Sequence, residues 1–119
     1  MMIELAWPAK ALSPNHRSGS HWPRTNAIKA AKEEAFWATR ACLPPCFKHD
    51  GSRMALIVTA YPPDKRARDD DNIIASLKAH RDGIAKALGV DDNLFDQRGL
   101  QWGEPVHGGK IVVVLEPSA

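Results

Sequence analysis

The chain has 119 residues, and 16 Lys and Arg against 14 Asp and Glu give a formal net charge of +2 at pH 7, so it fits one domain with its own core and excludes a uniformly basic surface. Any nucleic-acid face must come from local clustering. The 2 cysteines, Cys42 and Cys46, exclude a disulfide scaffold, have no second pair at zinc-finger spacing, and are expected as free thiols in a reducing cytosol.

Met1 to Lys10 lacks the apolar length of a signal peptide or membrane span, so a soluble cytoplasmic protein with no membrane association is expected. Ile3 to Trp7, stopped by Pro8, reads as a first strand. Leu12 to Thr25 reads as a loop, with Ser13, Pro14, Asn15, Ser18, Gly19, Ser20 and Pro23 among His16, Arg17, His21 and Arg24. A helix from about Asn26 to Cys42 follows, capped by Thr25 or Asn26. Its core stripe is Ile28, Ala31, Ala35, Ala38 and Cys42, which leaves Trp37 on the opposite side.

Pro44, Pro45 and Gly51 mark a connection, and Met54 to Tyr61 reads as a buried central strand ended by Pro62 and Pro63. The clearest helix runs from about Asn72 to Leu88 and stops at Gly89. Leu94 to Trp102 and Lys110 to Leu115 read as two strands of a long hairpin. The order β, α, β, α, β, β predicts an α+β domain with a mixed or antiparallel sheet packed by two helices.

Between the central strand and the second helix lies Asp64-Lys65-Arg66-Ala67-Arg68-Asp69-Asp70-Asp71-Asn72. Adjacent like charges repel, and a hard divalent cation such as Mg²⁺, held by one or two carboxylates plus phosphate, removes that penalty. The competing reading is an acidic first turn that complements the helix dipole. Projected on a helical period, Ile73, Leu77, Ile84 and Leu88 form the core stripe, while Asp71, Lys78 and Asp82 share one ridge. A helical Asp70 would point into the core, so the helix is expected to begin after it, leaving Asp69 and Asp71 to converge on one ligand. A second acidic turn, Gly89-Val90-Asp91-Asp92-Asn93, follows a helix about 25 Å long and does not reach Asp71 within one subunit by spacing alone.

The run from Pro62 to Asn72, the helix after it and Gly89-Val90-Asp91-Asp92 resemble the RusA family of Holliday-junction resolvases of bacteria and their prophages. The likeness extends over most of the chain, including Ser13-Pro14-Asn15 in the polar loop. It implies an α+β homodimer that binds four-way DNA junctions and cleaves them with Mg²⁺ or Mn²⁺ in recombination and repair. The family's Arg-Asp-x-Asp-Asn motif falls on Arg68, Asp69, Asp70, Asp71 and Asn72, making Asp69 and Asp71 the catalytic carboxylates. The later acidic pair falls on Asp91 and Asp92, with Asp92 the third ligand and Asp91 in reserve. Ala75 stands where the family has its catalytic lysine, and Lys78, on the Asp71 ridge, is the substitute.

On that reading the carboxylates hold the metal and Lys78 stabilises charge on the phosphate. Arg17, Arg24, Lys65, Arg66 and Arg68 grip the DNA backbone, and Asn15 and His16 reach the junction. A structure-specific DNA-binding protein without nuclease activity is the alternative. An EF-hand calcium module is disfavoured, because the acidic run lacks that loop's ligand spacing and central glycine.

Overall fold

A computed structural model describes residues 1–13 and 22–118. It is an α+β domain in which one four-stranded mixed sheet carries its helices on one face. Strand β1 (Met2–Ala6) ends one residue before Trp7, a 3₁₀ turn covers Lys10–Leu12, and helix α1 spans Trp22–Ala41. Strand β2 (Met54–Tyr61), helices α2 (Asp70–Ser76) and α3 (Lys78–Leu88), a 3₁₀ turn at Asp92–Leu94, strand β3 (Phe95–Trp102) and strand β4 (Lys110–Pro117) follow.

The sheet order is β1-β4-β2-β3. Strand β4 pairs antiparallel with both β1 and β2, and β3 pairs parallel with β2. The expected β3–β4 hairpin is therefore wrong. Strand β4 is apolar throughout its middle, with Ile111, Val113 and Leu115 buried, and takes the centre. Strand β3, Phe-Asp-Gln-Arg-Gly-Leu-Gln-Trp, buries only Phe95 fully and takes the edge. A parallel β2–β3 pair needs a crossover, which α2 and α3 supply.

The core lies between sheet and helices. Ile3, Leu5, Leu56, Val58, Ile111, Val113 and Leu115 face Ala35, Ile73, Leu77, Ile84, Ala85 and Leu88. The stripe Ile73, Leu77, Ile84 and Leu88 is buried as expected, and Trp37 stands 65% exposed. Helices α1 and α3 pack backbone against backbone at Gly83, where a Cβ would lie 2.3 Å from the Lys32 carbonyl oxygen.

Two helix boundaries differ from expectation. Helix α1 begins at Trp22, so Thr25 and Asn26 are helical and do not cap it. Pro23 falls in the first turn, where a missing N–H costs no intrahelical bond. The second expected helix is broken at Leu77 (φ −96°, ψ 3°). It also begins earlier than expected, with Asp70 as its first residue. At the N-terminal edge a side chain still reaches outward, and Asp70 is exposed rather than aimed into the core.

Candidate functional site

Where β2 ends, the chain wraps around itself before entering α2. Arg68 organises this segment. Its Nη1 donates to the carbonyls of Asp64 (3.1 Å) and Arg66 (3.0 Å), its Nη2 donates to Asp64 Oδ1 (2.9 Å), and its guanidinium lies 5.4 Å from the centre of the Trp7 ring. Arg66 also pairs with Asp64, at 3.0 Å. The Arg66 side chain, helped by the Arg66 N–H and by Arg68, holds the Asp64 carboxyl far below the usual carboxylate range. Of the three expected basic contacts here, Lys65 and Arg66 are exposed, whereas the Arg68 side chain is only 16% exposed and structurally committed.

Asp69, in extended conformation, caps α2: its Oδ1 accepts the Asp71 N–H at 2.9 Å. Asp69, Asp70 and Asp71 are all exposed, and their roles divide. Asp70 Oδ1 accepts from Trp102 Nε1 at 2.6 Å, and Trp102 meets Trp7 with ring centroids 6.5 Å apart. Two tryptophans thus tie the ends of β1 and β3 to the acidic turn. Sequence reasoning missed this pair, because neither tryptophan is near the motif in the chain. Glycines let the β3–β4 connection close over it: a Cβ at Gly103 would lie 2.3 Å from the Tyr61 ring, and one at Gly109, whose φ is +71°, 3.0 Å from Trp7.

Asp69 opens onto a cleft of about 540 Å³ whose walls include Trp7, Lys10, Ser13, Arg68, Asn72 and Ser76. A second groove of about 310 Å³ adjoins it at Ser76 and is lined by Arg24, Lys32, Lys78 and Asp82. Lys78 and Asp82 therefore share a groove as the ridge predicts, but Asp71 is not part of it. Arg24 donates to the carbonyls of Ala11 (3.3 Å) and Ser13 (3.4 Å). Asn15, His16 and Arg17 lie outside the described residues.

The second acidic turn is elsewhere. Asp70 bonds to Trp102 at the C-terminal end of the parallel β2–β3 pair, whereas Asp91 and Asp92 precede Phe95, the first residue of β3, at the other end. One strand of 8 residues separates them, on the order of 25 Å. Asp92 gathers with Asp91 and Asp82, and the Asp91 carboxyl, with partial burial and Asp82 acting in the same sense, raises the Asp92 pKa above the ordinary carboxylate value. Asp91 Oδ1 also accepts the Asn93 N–H at 3.0 Å. Asp69 and Asp71 are thus not joined by Asp91 or Asp92 within one chain, and among the described residues no group of three or more His, Cys, Asp or Glu is placed to hold a metal ion. Two carboxylates suffice for Mg²⁺ when waters and a phosphate complete its shell, so the Asp69–Asp71 pair fits that ion in number and kind.

Both cysteines are free and exposed, and among the described residues no helix is long and apolar enough to cross a membrane. The fold and site define a small α+β domain presenting an acidic turn beside exposed cations. No protein-family model matches the chain. It is 40% identical over 115 residues to an uncharacterized protein from Xylella fastidiosa (strain Temecula1 / ATCC 700964), across 95% of this chain and 74% of that protein. The chain belongs to the same family as that protein.

Proposed function

We propose that the chain is a divalent-metal-dependent endodeoxyribonuclease of the RusA resolvase kind, which acts as a cytoplasmic homodimer on four-way DNA junctions. The observation that carries the reading is the exposed Asp69 and Asp71 pair at the start of α2, with exposed Lys65 and Arg66 a few residues before it. Mg²⁺ or Mn²⁺ held by this pair would supply Lewis-acid chemistry and an activated water at the scissile phosphate. Lys65 and Arg66 bind the incoming backbone, and Arg68 holds their segment in place through Asp64. Lys78, Arg24 and Lys32 extend the cationic track along the adjoining groove. Asp92 would join the metal ligands only across a dimer, where a second copy brings its acidic turn to the first copy's Asp69.

The test is a synthetic four-way junction incubated with and without Mg²⁺. The wild-type chain should cleave it only with the metal, and Asp71→Asn should bind it with cleavage reduced at least about a hundredfold, as for loss of a group acting in the transition state. Unchanged cleavage by Asp71→Asn sinks the assignment. A junction-binding protein without nuclease activity is the second reading, favoured by Ala75 at the family's lysine position and by the distance between the two acidic turns. Binding with no cleavage by the wild-type chain in either metal would establish it. Sedimentation on junction DNA tests the dimer, and a monomer there would overturn that part.

A further inference from the structure

The middle aspartate of the motif has a partner of its own. Asp70 Oδ1 accepts from the indole N–H of Trp102 at 2.6 Å, across 32 positions of sequence. Trp102 in turn packs on Trp7, and Trp7 lies under the Arg68 guanidinium. The residues immediately before and after Asp69 are thus anchored to the sheet, Arg68 through Trp7 and Asp70 through Trp102. From this geometry we infer that Trp102 and Asp70 are positioning residues, a latch that fixes the rotation of the first turn of α2 and so aims Asp69 and Asp71 at one cation. Asp70, turned toward the indole, is withdrawn from ligation.

This inference rests on the metal-dependent reading above. Its logic is that of an outer-shell partner: the latch touches no metal and orients the groups that do. It also accounts for three carboxylates in a row where two serve. An aspartate at this position supplies an acceptor oxygen to the indole, and an asparagine side-chain carbonyl supplies the same oxygen without the charge.

The experiment titrates the full chain with Mn²⁺ alone by calorimetry, in wild type, Asp70→Asn, Asp70→Ala and Trp102→Phe, with the melting temperature of each recorded. The latch requires that Asp70→Asn bind Mn²⁺ as wild type does, while Asp70→Ala and Trp102→Phe each weaken binding by about tenfold. Equal losses in Asp70→Asn and Asp70→Ala with Trp102→Phe unaffected would make Asp70 a ligand and overturn the latch. Unchanged affinity in all three variants would overturn it as well. If the wild-type chain binds no Mn²⁺, the metal reading itself fails, and amide exchange then decides the latch: the N–H groups of Ile73 and Ile74 should exchange faster in Trp102→Phe and Asp70→Ala but not in Asp70→Asn. Equal exchange in all variants would overturn it.

Discussion

His80 Nε2 lies 3.6 Å from Glu34 Oε1, while the other oxygen of Glu34 accepts the Ala6 N–H at 2.9 Å. One carboxylate therefore joins the end of β1, helix α1 and helix α3. His80 is 3% exposed, and among the described residues its Nδ1 has no partner in hydrogen-bond geometry. Burial lowers the His80 pKa from the ordinary 6.5, and the attraction of Glu34, with a smaller contribution from the Ser76 backbone, only partly opposes it.

That balance makes stability depend on pH. Because the folded pKa is the lower one, the unfolded chain takes up a proton first as the pH falls below 6.5. The contribution of neutral His80 is fully present above that value and is lost progressively toward the lower folded pKa, with a slope of at most about 1.4 kcal/mol per pH unit. Urea midpoints between pH 7.5 and 5 should fall in wild type and fall less in His80→Gln. Equal slopes would refute the assignment.

Gly83→Ala sets two effects against each other. Alanine favours a helix interior by about 1 kcal/mol. Its Cβ, however, would lie 2.3 Å from the Lys32 carbonyl oxygen and 3.1 Å from Ala35 Cβ, and backbone cannot yield as a flexible side chain does. Such overpacking costs roughly 1–3 kcal/mol, so the overlap wins and the urea midpoint should drop. A stabilised variant would show that α1 and α3 separate easily.

The same glycine marks where sequence reasoning stops. The strands, the core stripe of α2 and α3 and the exposed Trp37 were legible, because burial imposes periods of 2 and 3.6 on the chain. Strand β2 matches its expected limits, Met54 to Tyr61. Strand neighbours carry no such period, so β3 and β4 read as a hairpin although β2 lies between them. At the site, the motif itself stood out as charge, but Arg68 read as a DNA contact when its fork is spent on Asp64, and Trp7 and Trp102 were invisible as a pair. Contacts across many residues leave no spacing to read.

Arg68→Lys tests that reassignment. A lysine ammonium cannot donate in a planar fork to Asp64 Oδ1 and the carbonyls of Asp64 and Arg66 while lying over Trp7. The charge is retained, so any effect reports geometry. Stability should fall by roughly 1–2 kcal/mol, and limited proteolysis should open the chain between Pro63 and Asp69. Unchanged stability with weakened DNA binding would restore Arg68 as a phosphate contact.

Asp92→Asn should stabilise the chain. With Asp91 and Asp82 beside it, the folded Asp92 carboxyl holds its proton to a higher pH than the ordinary 3.8. Its folded pKa exceeds the unfolded one, so its contribution is fully present below pH 3.8 and is lost as the pH rises through the folded pKa. At pH 7 the cluster is therefore a net cost, small because it is solvent-screened, and removing one charge should recover a few tenths of a kcal/mol. Melting curves in EDTA should place Asp92→Asn above wild type at pH 7, with the gap closing toward pH 3. A variant that melts lower at pH 7 would mean that Asp92 makes a favourable contact that outweighs its repulsion by Asp91 and Asp82.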